Sequence, residues 1–204
     1  MMAAGTPTCV MFDAGRVLLD IDFGNLAAYL KMRAGLEPDE AQEAVARDGL
    51  ARSYELGLLT DDEFCRRICG QLGVEIPREE LVEAWNSVIQ NPIVPEAMLA
   101  ALSARSALWV VSNTNNLHFT RILKQYPYLK YFRGYVLSYQ SGVAKPDPDI
   151  FRLALARAGA KAEESLFIDD QSANVAAART LGIDGIQFFN PGQLAADLKS
   201  RGLL

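Results

Sequence analysis

Histidine is almost absent from this chain. With Cys9 in the first predicted strand, the two remaining Cys and the one His among 204 residues make a poor zinc site. Cys9 falls in a predicted buried strand, and Cys65 and Cys69 share one face of a predicted helix. Reduced thiols in a cytoplasmic protein are the expectation. Runs of basic charge are missing too. The 20 Lys and Arg are scattered and outnumbered by 25 Asp and Glu, for a net charge of −5, so no nucleic-acid footprint is present. No apolar run approaches the roughly 18 residues of a membrane span. Residues 1–7 lack the basic and apolar segments of a secretory signal. Repeats and low-complexity segments are absent as well. What is left is a globular chain, half hydrophobic, long enough for one large domain or for a domain with a smaller one inserted.

Five short apolar runs read as strands: 8–12, 107–111, 134–137, 165–168 and 185–189. They are continuous rather than alternating, which suits strands of a parallel sheet buried on both faces. Helical patterns at 115–124, 147–159 and 172–182 separate the later runs, and a last one follows Asn190-Pro191. In the second of these, Asp147 is the expected N-cap, Pro148 takes the first helical position and Gly159 stops the helix. This βαβ alternation predicts an α/β fold with a doubly wound, mostly parallel, five-stranded Rossmann-like sheet. One connection is far longer than a crossover helix needs. It holds helical patterns at 23–34, 39–56, 60 to about 70–73, and 78–90, the third opened by the capping box Thr60-Asp61-Asp62-Glu63. The expectation is a core domain of residues 1–19 and 93–204, with 96–104 as one of its helices, and an inserted helical cap domain of residues 20–92.

In such a sheet the C-terminal strand ends share one edge, where ligands bind. Asp13 follows the first strand and Ser112-Asn113-Thr114-Asn115-Asn116 the second. A loop carrying Lys145 follows the third, and Asp169-Asp170 the fourth. Each has an ordinary explanation as a cap, a turn or a solvated charge. Together they form one set suited to phosphoryl transfer. Helix N-terminal amides and a hydroxyl bind phosphate oxygens, and an ammonium offsets repulsion between two anions. Carboxylates without soft ligands favour a hard cation such as Mg²⁺. An Asp can attack phosphorus and form an aspartyl-phosphate.

Asp13 with its flanks, Ser112-Asn113, Lys145-Pro146 and Asp169-Asp170-Gln171-Ser172-Ala173-Asn174 resemble, in order and spacing, the four motifs of the haloacid dehalogenase superfamily with a C1 helical cap. The segments at 112–118, 137–138, 142–146 and 167–170 are further similar to the branch of bacterial α-D-glucose-1-phosphate phosphatases and epoxide-hydrolase N-terminal phosphatases. The resemblance implies a Mg²⁺-dependent phosphatase of a small phosphorylated metabolite, a sugar phosphate first among them. In it Asp13 is the nucleophile and a metal ligand, the Gly15 carbonyl and Asp170 complete the metal site, and Asp169 and Asn174 support it. Ser112, the Asn113 backbone and Lys145 hold the phosphate, and Lys145 also orients Asp13.

The chain departs from the pattern at two positions. Most phosphatases of the superfamily carry an acid–base Asp two residues after the nucleophile, where this chain has Gly15. Loss of a general acid costs about 10²–10⁴-fold. Three outcomes follow: a substrate with an easily expelled leaving group, such as a sugar 1-phosphate, which is the favoured one, a substitute acid at Asp20 or Asp22, or slow or absent activity. Arg16 replaces the common Gly and is a candidate phosphate or substrate contact. A 2-haloacid dehalogenase and a non-catalytic phosphate-binding or regulatory protein are the competing readings. His118 begins a helix near the phosphate site and could touch substrate. Trp109 is expected in the core and Trp85 between cap helices. Gly24 and Pro92 are candidate hinges of a moving cap. The chain is expected to be a monomer or homodimer.

Overall fold

The computed structural model describes residues 6–204. Most of the segment tested above for a secretory signal, residues 1–5, lies outside that range. Strand β1 (Cys9–Phe12) leads through β2 (Leu19–Ile21) into helices α1 (Gly24–Ala34), α2 (Pro38–Ala46), α3 (Leu50–Glu55), α4 (Asp61–Leu72) and α5 (Arg78–Asn86). The chain returns through β3 (Ile89–Pro92), then α6 (Glu96–Ser103), β4 (Ala107–Ser112), α7 (Asn116–Gln125), β5 (Phe132–Leu137) and the short α8 (Ser138–Ser141). It ends with α9 (Pro148–Ala158), β6 (Ser165–Asp169), α10 (Ser172–Thr180), β7 (Asp184–Gln187) and α11 (Pro191–Ser200). The five-stranded sheet runs β5-β4-β1-β6-β7, with every pair parallel. This is the expected doubly wound α/β architecture. Among the described residues no helix is long and apolar enough to cross a membrane.

The continuity of the apolar runs has a visible cause. In β1, Val10 and Phe12 pack into one core layer with Leu108, Val110, Leu166 and Ile168. Cys9 and Met11 point the other way, into a layer with Phe167, Ile150, Phe151 and Ala178. Successive strand residues face opposite sides, and here both sides are dry. Phe151 meets Phe167 edge-on at 4.9 Å between ring centroids, a favoured aromatic geometry. The predicted caps of α9 form as expected: the Asp147 side chain accepts from Asp149 N, Pro148 opens the helix, and Gly159 closes it at φ 61°.

Three local expectations are corrected. The single helix expected over 39–56 breaks into α2 and α3, because Asp48 (φ 53°) and Gly49 (φ 65°) both adopt left-handed backbone, which no right-handed helix accommodates. The helix expected over 78–90 stops at Asn86, and the chain straightens into β3. The last strand starts and ends earlier than expected, at Asp184–Gln187. The pairing of β2 with β3 was not foreseen. They form an antiparallel two-stranded ribbon, Leu19 opposite Pro92 and Ile21 opposite Ile89. The chain thus enters and leaves the five helices α1–α5 at adjacent points.

Candidate active site

Register places the first two carboxylates. Phe12 lies opposite Ile168 and Val110, so one residue further on Asp13 leaves the central strand beside Asp169. Asp13 N donates to Ile168 O at 2.9 Å, prolonging the ladder, and Ala14 N donates to Asp13 Oδ1 at 2.7 Å. Between the two acids lies one ammonium. Lys145 Nζ sits 2.7 Å from Asp13 Oδ1 and 2.7 Å from Asp169 Oδ2, and 5.4 Å from the centre of the Phe167 ring. All three residues are buried.

Asp169 is fixed from every side. Its Oδ1 accepts from Gln171 N at 2.8 Å, and Asn174 Nδ2 donates to both oxygens at 3.0 and 3.1 Å. Its oxygens are thus committed to protein donors, as a supporting residue's would be. Asp170, only half-buried, closes a carboxylate cluster with Asp13 and Asp169 in which oxygens lie within 4.8 Å of one another. Three carboxylates against one ammonium leave two negative charges. All-oxygen donors with that deficit fit a hard divalent cation. Burial pushes the Asp13 carboxyl up to about 6, and Asp169 pushes in the same direction, while Lys145 opposes both. Asp170 is also raised, by burial first and by Asp169 next, with Arg16 and Lys145 opposing.

Ser112 ends β4 and is buried at the same edge. Asn113 does more than its backbone role would require. Its Nδ2 donates to Lys145 O at 2.9 Å, and Lys145 N donates to its Oδ1 at 2.8 Å. This two-point clamp holds the loop that carries the ammonium. Ser138 ties the neighbouring loops in the same way, accepting from Thr114 N at 2.9 Å and donating to Thr114 O at 3.0 Å. Neither clamp was foreseen. The partners are 32 and 24 residues apart, and Asn or Ser at a strand end reads locally as a cap.

Gly15 and Arg16 form a tight turn. Arg16 has φ 60°, its N–H donates to Leu19 O at 2.6 Å, and its side chain is exposed. A Cβ at Gly15 would lie 3.2 Å from Ile21 Cγ1, so an isoleucine crowds the place where an acid–base side chain would start. Each suggested substitute acid is exposed and has one oxygen in a local turn bond. Asp20 Oδ1 accepts from Ile21 N at 2.9 Å, and Asp22 Oδ1 accepts from Gly24 N at 2.8 Å. His118 lies at the joint with the insertion. It stacks on Trp85 at 5.2 Å and 13°, and its Nε2–H donates to Trp85 O at 3.0 Å while Nδ1 accepts from Asn115 Nδ2 at 3.1 Å. Burial holds its pKa down, at about 4. Trp85, expected between cap helices, packs against Phe64 of α4 as well as His118. Trp109 is half-buried, against the core layer that contains Phe167. Cys9, Cys65 and Cys69 are free thiols.

Comparison with known proteins adds an independent line. The chain is 29% identical over 189 residues to a D-ribitol-5-phosphate phosphatase of Bacteroides thetaiotaomicron, covering 87% of this chain and 90% of that protein. It is 32% identical over 187 residues to a phosphorylated carbohydrates phosphatase of Thermotoga maritima, covering 87% and 82%. Among solved structures it resembles the Bacteroides thetaiotaomicron enzyme bt-2542 in complex with magnesium and inorganic phosphate. The TM-score is 0.80 at 28% identity, over 90% of this chain and 95% of that one. The family model for haloacid dehalogenase-like hydrolases matches residues 9–182, a span that begins with β1, takes in the whole five-helix insertion and ends just after α10. The chain belongs to the haloacid dehalogenase-like hydrolases.

Proposed function

We propose that this hydrolase is a Mg²⁺-dependent phosphatase of a small phosphorylated metabolite, acting through an aspartyl-phosphate on Asp13. The observation that carries the reading is the Lys145 ammonium set 2.7 Å from both Asp13 and Asp169, with Asp170 converging on the same point. The magnesium and phosphate bound in the structural relative support it.

Asp13, Asp170 and the Gly15 carbonyl would hold the metal. When bound there, Mg²⁺ neutralises phosphate charge and polarises its oxygens. Ser112 and the Asn113 backbone receive the phosphate, with Arg16 as a further contact. Lys145 keeps Asp13 ionised and lowers the repulsion between two anions. Asp169, gripped by Asn174 and Gln171 N, keeps Lys145 in place. An Asp13 oxygen attacks phosphorus and the ester P–O bond breaks. With Gly15 at the acid–base position, the departing oxygen takes its proton from solvent. Water then attacks phosphorus, the Asp13–phosphorus bond breaks, and inorganic phosphate leaves with the carboxylate restored.

The two relatives named for sugar and polyol phosphates make that class the first to test, and the crowding of Gly15 by Ile21 favours esters whose oxygen leaves readily, such as sugar 1-phosphates. The test is phosphate release from sugar 1-phosphates, polyol phosphates and p-nitrophenyl phosphate, with Mg²⁺ and with EDTA. Release is expected only with Mg²⁺, and Asp13→Asn should lower it by at least about 10³-fold with an unchanged circular dichroism spectrum. Undiminished turnover in that variant would defeat the nucleophile assignment. Release of halide from 2-haloacids in EDTA would indicate a dehalogenase instead.

A further inference from the structure

Two thiols stand together away from the carboxylate cluster. Cys65 and Cys69 lie four residues apart on α4, a spacing that puts both on one face of the helix. Both line an open cleft of about 780 Å³, bounded by α4, the last turn of α1 and the loop that leads into α5. None of Asp13, Ser112, Lys145, Asp169 or Asp170 lines it. Among the described residues the one hydrogen bond from either thiol is a long one, from Cys69 Sγ to Ile76 O at 4.0 Å. Cys65, only 6% exposed, has none. A buried thiol without a partner thus faces an open cleft beside a second thiol.

Both thiols are free, and the helix supplies the reason. Residues four apart on a helix hold their Cβ atoms about 5–6 Å from each other, whereas a disulfide needs about 3.5–4.5 Å. One atom placed between the sulfurs lengthens the bridge, and the pair can then be joined without unwinding α4.

The donor set selects that atom. Among the described residues no Asp, Glu or His closes a three-ligand group with the two sulfurs. Zinc takes four ligands, and magnesium and calcium take oxygen. Two thiolates without a third donor suit a soft monovalent ion, and thiolates select monovalent copper. The charge agrees. Binding releases both thiol protons, so two thiolates around one Cu⁺ carry a single negative charge. Arg33, Arg66 and Arg78 outnumber Asp62 and Glu75 around the same cleft. Arg78 is engaged by Asp62 at 2.6 Å. Arg66 is exposed and without an ion pair among the described residues. It follows Cys65 directly and precedes Cys69 by three positions, a neighbouring place on the helix surface.

We propose that Cys65 and Cys69 form a two-coordinate site for monovalent copper on α4. The site is separate from the phosphatase reading and holds whether or not that reading does.

The test titrates the reduced, whole chain with Cu⁺ under argon, against the chromogenic chelator bathocuproine disulfonate. One copper per chain is expected, with thiolate-to-copper charge-transfer absorption in the ultraviolet. Cys69→Ser should weaken binding by at least about 10²-fold, since even supporting residues of metal sites cost about 10–100-fold. Cys69 is only half-buried, so the change is mild for the fold, and circular dichroism verifies that. The double variant Cys69→Ser with Gly70→Cys restores the number of thiols but turns one of them about 100° round the helix. Gly70 has open space around it, so the new side chain fits. This variant should bind no better than Cys69→Ser. Failure of the chain to take copper from the chelator, equal affinity in Cys69→Ser, recovery in the double variant, or displacement of the copper by an equal amount of Zn²⁺ would overturn the proposal.

Discussion

At the scale of single residues, the site depends on groups held in place by others. Asp13 is buried and would resist ionisation were Lys145 not beside it, and Lys145 is held by Asp169 at its head and by Asn113 at its backbone. Gly15 is the opposite case, a position left without a side chain. Ile21 Cγ1, 3.2 Å from where a Cβ would stand, makes a simple restoration of the acid costly, since a tight contact must relax. Gly15→Asp alone is therefore expected to fold less stably and gain little. With Ile21→Ala to make room, the double variant should hydrolyse alkyl phosphates at least about tenfold faster relative to aryl phosphates, a part of the usual general-acid contribution. Rates for both ester types in the two variants check this, and an unchanged ratio in the double variant would place the missing acid elsewhere.

At the scale of elements, the contact between the α3–α4 turn and α8 is the tightest backbone approach at a glycine among the described residues. Gly57 has φ 71°, and a Cβ there would lie 2.0 Å from Tyr139 O. Gly57→Ala should destabilise the fold by about 2 kcal/mol or more, from left-handed strain and backbone overlap together, read as a lowered urea midpoint. Gly70, with open space around it, is the control, and Gly70→Ala should be neutral or slightly stabilising. The same scale shows what could be read beforehand. The parallel strands were legible as apolar runs because the central ones, β1 and β6, are buried on both faces, and α9 because its caps are local signals. Strands β2 and β3 were not. Their sequences, Leu-Asp-Ile and Ile-Gln-Asn-Pro, carry no period long enough to read, and only their mutual pairing makes them strands. The Asp48-Gly49 break was readable as a turn dipeptide but lost inside a long apolar pattern. The edge that gathers the catalytic candidates followed from topology alone. The Asn113 and Ser138 clamps did not, because a bond between residues 32 or 24 positions apart leaves no mark on either segment.

At the scale of the whole molecule, the inserted helices join the rest through a continuous apolar cluster that runs from Tyr54, Phe64 and Trp85 to Leu117 and Phe119, together with polar pairs and one aromatic stack. Asn116 Nδ2 donates to Asp61 Oδ2 at 2.8 Å, and Tyr54 OH donates to Asp61 Oδ1 at 2.6 Å while accepting from Leu117 N at 3.3 Å. Arg121 pairs with Glu83. The His118 stack adds a pH dependence. The folded ring stays neutral down to about 4, whereas the unfolded chain takes up its proton near 6.5. Below 6.5 the unfolded state therefore binds more protons, and stability falls as pH drops from about 6.5 to about 4. For a half-buried ring this is on the order of 1–2 kcal/mol. His118→Phe keeps an aromatic ring on Trp85 and removes the titration. Urea denaturation at pH 7 and pH 4.5 should show a smaller acid loss in the variant than in the parent, and equal losses would assign the acid sensitivity to the carboxylates.

The β2–β3 ribbon has a consequence for the lineage of the chain as well as for its shape. Strands paired antiparallel run about 5 Å apart, so the 67 residues between Ile21 and Ile89 begin and end almost at one point. A two-residue hairpin turn would close the same gap. Between that last pair the chain can change length without disturbing a rung of the main sheet, as long as the residues that meet α7 and α8, Tyr54, Gly57, Asp61, Glu83 and Trp85, keep their places.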